Sequence, residues 1–162
     1  MRQFFWILVL GLCVYSTRTY AMGGPPSGKD LETVVWGTYC ALENPEQRVI
    51  TNNVDWQQLW GRMYAQESPM PELPKIDFGQ KMVLADFLGT RSSSGYIIEI
   101  SDVKVSDSIL EVSVLESTPG RNCLTTQALT QPFHVALIPR WEKAIRFNTS
   151  RTVTDCLEIN FD

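Results

Sequence analysis

One short stretch of this sequence carries a helical period, and it restricts the possible folds more than any other feature. Four apolar residues recur at the spacing i, i+3, i+4 and i+7 that forms one helix face: Trp56, Leu59, Trp60 and Met63. Asn52 or Asn53 can cap the N-terminus, and three prolines between residues 69 and 74 stop the helix from continuing. The pattern predicts one amphipathic helix over residues 54–65, with its tryptophans anchoring the core.

The other segments are rich in β-branched and aromatic residues or alternate in polarity, as strands do. The predicted strands lie at residues 34–40, 48–51, 81–88, 96–106 and 109–116, from Pro132 onward, and, as a short last strand, at 144–147. Ser106–Ser108 forms a hairpin turn, and a change of phase at Ser101 and Asp102 predicts a β-bulge. One helix among consecutive strands gives an α+β fold class, mainly antiparallel β-sheet or sandwich-like.

Residues 1–21 have the three parts of a secretory signal peptide. Arg2 forms a positive start, residues 4–15 are an unbroken apolar run, and a more polar stretch ends at Ala21. The apolar run is shorter than the roughly 20 residues of a membrane-spanning helix. We therefore expect cleavage after Ala21, no stable membrane anchor afterwards, and a periplasmic or secreted protein. Residues 22–33 are expected to be a flexible lead-in, and residues 34–162 a single β-rich domain.

The charge of the chain argues against two classes of partner. Its 18 acidic residues outnumber its 14 Lys and Arg, which gives a formal net charge of −4. Nucleic acids and anionic membrane surfaces are bound through clusters of Lys and Arg. This sequence has no such cluster, so we expect no nucleic-acid partner.

Three cysteines follow the predicted signal peptide: Cys40, Cys123 and Cys156. In an oxidising compartment two of them are expected to pair, and the sequence leaves three pairings open. We favour Cys123–Cys156 because both cysteines follow loop-like segments, with Cys40 left as a buried thiol. The absence of a C-x-x-C pair and the single histidine, His134, argue against a metal site. No cofactor is expected.

The sequence predicts no catalytic residues and therefore no enzyme. His134 is the only imidazole, hence the only general base of the usual kind, and its strand context predicts an exposed histidine. The carboxylates of Asp86, Glu99 and Glu111 are expected on a solvated face rather than as a pair suited to glycoside hydrolysis. No serine lies in a G-x-S-x-G elbow.

From Trp56 to Arg140 the sequence resembles the C-terminal domain of the PrcB family, named for a subunit of a bacterial surface protease complex. The segments that carry the resemblance are, in order, Trp56-x-x-Leu59-Trp60, Ile76-Asp77-Phe78, Met82-Val83-Leu84, Gly89 with Gly95 to Ile100, Leu110 to Val114, Ser117 to Gly120, and Pro132 to Pro139. The resemblance implies an exported accessory domain without enzymatic activity, which associates with and stabilises an envelope or secreted protease.

Strand parity in an antiparallel meander brings the loops at residues 89–95 and 118–131 to one end of the sheet. A type II turn is expected at Thr118–Arg121, with Pro119 and Gly120 at its centre. We expect this end to contact a protein partner. The residues predicted for that contact are Arg91, Ser93, Ser94, Gly95, Tyr96, Arg121 and Asn122.

Two other functions stay open at the level of sequence. Ser93–Tyr96 and Arg140-Trp141 are similar to two loop motifs of chagasin-like inhibitors of cysteine proteases. The threonines and the proline of those motifs are missing, and strand parity places the two segments at opposite ends of the sheet. The other alternative is a structural or small-ligand-binding envelope protein.

Overall fold

Seven strands and one α-helix follow one another along residues 28–156, the part of the chain that the computed structural model describes. The predicted signal peptide at residues 1–21, and residues 22–27 of the predicted lead-in, lie outside the described residues. After a 3-10 turn at Gly28–Asp30, the elements are β1 (Glu32–Gly37), β2 (Glu46–Ile50), α1 (Asn53–Met63), β3 (Lys81–Phe87), β4 (Ile97–Ser106), β5 (Ile109–Pro119), β6 (Phe133–Pro139) and β7 (Ile145–Thr154).

The predicted helix is confirmed, together with the residue that caps it. The Asp55 backbone N–H donates a 2.9 Å hydrogen bond to the side-chain oxygen of Asn52, which satisfies one free donor of the first turn. Trp56 and Trp60 are buried, and their indole N–H groups donate to carbonyls of the proline-rich segment that follows the helix. Residues 28–156 contain no helix with the length and hydrophobicity needed to cross a membrane.

The strands form two sheets that pack on each other, which confirms the α+β, sandwich-like class. A four-stranded antiparallel sheet has the order β1-β6-β3-β2, and a three-stranded sheet has the order β4-β5-β7. The four-stranded sheet is the middle layer, because α1 covers one face and the second sheet covers the other. Along β3, Val83 and Ala85 face the helix, whereas Met82 and Leu84 face the second sheet.

The hairpin of β4 and β5 follows the sequence prediction closely. Asp107 and Ser108 form its turn with φ of 49° and 67°, the left-handed values that two-residue hairpin turns favour. The register between the strands shifts between Ile100 and Asp102, so the predicted β-bulge is confirmed.

The two ends of the chain depart from the predicted strand bounds. β1 begins at Glu32, inside the predicted lead-in, because Glu32 and Thr33 pair with β6. The prediction of a short last strand at 144–147 is wrong: β7 runs for ten residues and pairs with β5 in parallel. The alternation of apolar residues stops at Phe147, but the pairing with β5 continues to Thr154. The mostly polar residues after Phe147 carry no strand pattern.

Candidate interaction surface

Two loops lie against each other at one end of the sandwich, and we call them together the loop face. The first, residues 88–96, joins β3 to β4; the second, residues 120–132, joins β5 to β6. The strands that flank the loops are paired at this end: Phe87 pairs with Phe133 in the four-stranded sheet, and Ile97 pairs with Ser117 in the three-stranded sheet. The structure therefore brings together the two loops that strand parity placed at one end.

Backbone and hydroxyl hydrogen bonds tie the two loops of the loop face to each other. Arg91 and Thr130 exchange two backbone hydrogen bonds of 2.8 and 3.0 Å. The Thr126 N–H donates to Ser94 Oγ at 2.9 Å, and the Ser94 N–H donates to the Thr126 carbonyl at 3.1 Å. The Thr130 hydroxyl adds a 2.9 Å bond to the Ser93 carbonyl. Contacts from two distant parts of the chain thus hold the loops as one unit.

A disulfide and a backbone contact fix the second loop to the end of β7. Cys123 and Cys156 are bonded, with their Cα atoms 5.0 Å apart, which confirms the favoured pairing. The Gly120 N–H donates to the Thr154 carbonyl at 2.9 Å. The stretch of chain that enters the second loop is therefore anchored covalently.

The type II turn predicted at Thr118–Arg121 is wrong. β5 continues through Pro119, which pairs with Thr154, and Gly120 is not among the described glycines with positive φ, a value that the third position of such a turn requires. A turn forms two residues later, where the Cys123 N–H donates to the Gly120 carbonyl at 3.1 Å.

Family comparison shows what this part of the molecule is similar to. The sequence model of a family described as PrcB C-terminal matches residues 82–139, from the second residue of β3 to the last residue of β6. This segment is PrcB C-terminal-like. It covers less than half of the chain, but it contains both loops of the loop face. Nothing similar was found among the curated proteins or among the solved structures.

Several of the predicted contact residues in the PrcB C-terminal-like segment take part in contacts within the protein. Ser93 and Ser94 supply the bonds between the loops described above. Gly95 has a φ of +92°, and a Cβ there would lie 2.9 Å from Pro119, so only glycine fits. The half-buried Tyr96 packs on the core between the sheets, with the Arg91 guanidinium 5.8 Å above its ring.

Most of the exposed side chains of the loop face belong to its second loop, whereas the first loop exposes the side chain of Ser92. Arg121 and Asn122, both predicted as contact residues, are exposed. Sequence reasoning missed two further residues, Leu124 and Leu129, whose side chains are 103 % and 65 % exposed. The sequence signal that could have indicated exposure is at Leu124, an isolated leucine directly after Cys123 in a polar stretch without helical or strand periodicity.

The loop face differs in charge from the rest of the protein. Residues 88–96 and 120–132 contain no Asp or Glu, and each loop contributes one arginine, Arg91 and Arg121. The whole chain carries a formal charge of −4. The nearest acidic side chain named beside the loop face is that of Asp155, whose Oδ1 lies 2.8 Å from where a Cβ on Gly120 would be. Charge patterns of this kind steer the orientation of a partner more than they add affinity.

His134, predicted to be exposed, is buried at 4 % exposure, so that prediction is wrong. β6 lies in the interior of the middle layer, and both of its faces are covered. The ring accepts a 2.8 Å hydrogen bond at Nδ1 from the Ile100 N–H, and Nε2 lies 2.9 Å from the Thr33 hydroxyl. Burial lowers the pKa of His134 below its ordinary value. Both ring nitrogens are thus committed to structural contacts.

The carboxylates of Asp86, Glu99 and Glu111 lie in different surroundings, and Glu99 is exposed as expected. Glu111 lies 3.5 Å from Lys104 on the hairpin. Asp86 was expected on a solvated face; it is instead buried between the sheets, where it accepts a 2.7 Å hydrogen bond from the Gln47 amide. Burial is the main reason that its pKa is raised to about 6, and the charge of Glu116 adds to the effect.

Within residues 28–156, no group of three or more His, Cys, Asp or Glu is placed to hold a metal ion. A surface depression of about 480 Å³ lies between the end of α1 and the segment after β1. Its lining includes Glu46 and Arg62, which already form an ion pair at 3.1 Å. Small-molecule sites are typically apolar clefts with a few polar groups, and this depression lacks that character.

The two segments that are similar to chagasin-like inhibitor loops lie at opposite ends of the molecule. Tyr96 belongs to the loop face. Arg140 and Trp141 follow β6 at the other end, where Pro139 pairs with Lys81 at the start of β3. They do not form one surface.

Proposed function

We propose that this chain is an exported accessory domain without enzymatic activity, which associates through its loop face with an envelope or secreted protease and stabilises it. The observation that carries the proposal is the match of residues 82–139 to the PrcB C-terminal family, named for a subunit of a protease complex. Both loops of the loop face lie inside the matched segment. The surface assigned to the partner therefore belongs to the family-like part of the chain.

The disulfide supports the export part of the proposal. Disulfides persist in oxidising compartments such as the bacterial periplasm and the extracellular space, and they are rare in the cytosol. The Cys123–Cys156 bond anchors the loop face itself. A periplasmic or secreted location therefore preserves the shape of the proposed contact surface.

The chemistry of the loop face supports a protein partner. Interfaces combine apolar anchors with charged groups that set orientation. The second loop exposes Leu124 and Leu129 beside Arg121, and hydrogen bonds to the first loop hold this group in place. A surface that is already ordered loses little conformational entropy when it binds.

The test is a pull-down from native envelope extract with the mature domain, residues 22–162, tagged at its C-terminus and read by mass spectrometry. We expect a protease or its precursor to be enriched over a tag-only control, and its level to fall in cells that lack this protein. Arg121→Ala should reduce the enrichment. The matched control is Arg146→Ala, because Arg146 is exposed and lies at the start of β7, away from the loop face. It should leave the enrichment unchanged. Lack of any enriched protease would overturn the proposal.

A further inference from the structure

A row of four residues crosses the middle layer close to the loop face, on the side that faces the second sheet. The residues are paired in succession: Trp36 on β1, His134 on β6, Asp86 on β3 and Gln47 on β2. Residues that are paired directly place their side chains on the same face of a sheet. His134 and Asp86 are 4 % and 3 % exposed, so two titratable side chains are buried next to each other.

Both nitrogens of the His134 ring already have partners. Nε2 lies 2.9 Å from the Thr33 hydroxyl, and Nδ1 accepts a 2.8 Å hydrogen bond from the Ile100 N–H of β4. A neutral ring has one N–H, and because Nδ1 accepts, that proton is on Nε2. A second proton can bind only at Nδ1, where it would point at the Ile100 N–H. Two donors cannot form a hydrogen bond with each other, so protonation breaks this contact between the sheets.

We propose that His134 is a proton-operated latch between the two sheets, in which a proton taken from water onto Nδ1 displaces the Ile100 N–H and releases β4 from the middle layer. The step forms one N–H bond and leaves the ring as an imidazolium. Since β4 is an edge strand, β5 is its one strand partner in the described sheets. Ile98 and Ile100 pack in the core between the sheets, so the released β4 shifts its position and does not unfold.

The latch acts on the loop face because both of its loops cross from one sheet to the other. Residues 88–96 lead from β3 of the middle layer to β4, and residues 120–132 lead from β5 back to β6. His134 is the second residue of β6, directly after the second loop. Any shift between the sheets must therefore be taken up by these loops. The inference goes beyond the proposed function and does not depend on it, because the latch needs no partner.

The surroundings of the ring set the pH at which the latch opens. Burial lowers the pKa of His134, and the charge of Glu99 on β4 offsets this effect only in part. Thr33 on β1 faces the ring with a hydroxyl, which does not titrate in this range. The charged residues of the 3-10 turn precede Glu32, which pairs with Leu137 farther along β6. The latch should therefore open on the acid side of the ordinary histidine pKa of about 6.5.

Asp86, which faces the ring from β3, is the second group that titrates in this range. Burial is the main reason that its pKa is raised to about 6, and the charge of Glu116 on β5 adds to the effect. Glu116 is itself paired with Arg151 of β7 at 2.8 Å, and β2 contributes the uncharged amide of Gln47. An experiment on the latch must therefore separate the proton on His134 from the proton on Asp86.

The experiment is nuclear magnetic resonance of the isotope-labelled mature domain, residues 22–162, titrated from pH 7.5 to 5. His134 is the only histidine, so its ring nitrogen signals are assigned without ambiguity. We expect Nδ1 to gain a proton with a midpoint below about 6.5. The Ile100 amide signal should move with the same midpoint, and its protection from hydrogen exchange should fall by about tenfold. The amides of Ser94 and Thr126, which join the two loops, should shift with it, whereas amides of α1 should not.

Two variants assign the response to the proton on His134. His134→Gln keeps an amide acceptor but does not titrate, so the Ile100 amide signal should stay constant over this pH range. Asp86→Asn removes the other buried titrating group, and the response of the Ile100 amide should persist in it.

Three results would overturn the inference. The first is a ring that gains its proton while the Ile100 amide keeps its protection. The second is a response of the Ile100 amide that survives in His134→Gln or disappears in Asp86→Asn. The third is a ring that stays neutral until the amides of α1 lose protection as well, because the whole domain then unfolds in one step.

Discussion

The Nδ1 atom of His134 accepts a 2.8 Å hydrogen bond from the Ile100 backbone N–H, and this contact joins the middle sheet to the second sheet. Ile100 lies beside the β-bulge of β4, which is an edge strand of the second sheet. Since Nδ1 accepts, the proton of the neutral ring is on Nε2, which donates to the Thr33 hydroxyl at 2.9 Å.

His134→Leu should destabilise the fold, because it leaves the buried Ile100 N–H without an acceptor. An unsatisfied buried donor costs about 1–3 kcal/mol. The measurement is the free energy of unfolding from urea titration at pH 7.5. His134→Gln, which restores an amide acceptor, should recover part of the loss. Equal stability of the wild type and His134→Leu would show that the contact between the sheets contributes nothing.

Acidification should destabilise the protein through His134. Burial lowers the pKa of its ring, an effect only partly offset by the charge of Glu99. The unfolded pKa of a histidine is about 6.5. When the folded pKa is lower, the group contributes its full share of the unfolding free energy at any pH above that unfolded value. The contribution is lost as the pH falls through the lower, folded pKa. Urea midpoints measured from pH 7.5 to 5 should therefore fall more in the wild type than in His134→Gln.

Asp86 should act in the opposite direction. Its pKa is raised to about 6 in the folded protein, first by burial, and this is well above its unfolded value. Asp86 therefore makes its full contribution to the unfolding free energy below its unfolded pKa. That contribution is lost as the pH rises through about 6. Asp86→Asn should stabilise the protein at pH 8 by about 1–3 kcal/mol and have little effect at pH 4. A variant less stable than the wild type at pH 8 would contradict this.

The parts of the fold that follow from local signals could be predicted from sequence. The helix and its Asn52 cap, the strand around Val83 and the hairpin turn at Asp107 all depend on residues within a few positions of one another. The burial of His134 could not be predicted, because it depends on two layers that cover β6 from distant parts of the chain.

The same limit applies to β7 and to the loop face. β7 is a strand because β5 pairs with it, and its own sequence past Phe147 carries no apolar alternation. The loop that carries Leu124 is held by contacts between Thr126 and Ser94, which lie far apart in sequence. Strand parity could place the two loops together, but it could not show which side chains hold them and which ones face water.

Loss of the disulfide should cost about 3–4 kcal/mol of unfolding free energy in the chain-entropy model. The double change Cys123→Ser and Cys156→Ser should show this loss in urea titration, as should the wild type in reductant. Cys40→Ser is the control, because Cys40 is a half-buried thiol that takes no part in the bridge. Intact mass with and without reductant should show one bridge. A double variant as stable as Cys40→Ser would contradict the structural role of the bond.

Two glycines should respond oppositely to alanine. Gly89 has a φ of +70°, and a Cβ there would lie 2.7 Å from the Pro45 nitrogen and 2.8 Å from the Glu43 carbonyl oxygen. Gly89→Ala should destabilise the protein by more than about 1 kcal/mol. Gly61 lies in α1 with open space at its Cβ, so Gly61→Ala should stabilise by about 0.5–1 kcal/mol. Thermal denaturation of both variants tests the contrast, and a shift of the same sign in both would refute it.

The order of strands in the two sheets sets when this chain can fold as it emerges N-terminus first. β1 has its partner in β6, and β5 gains its second neighbour only when β7 arrives. The middle layer therefore lacks an interior strand until residues 133–139 are available, and the second layer is incomplete until residues 145–154 follow. A partly delivered chain therefore contains no complete layer, and Cys123 cannot find its bonding partner before residue 156 is available.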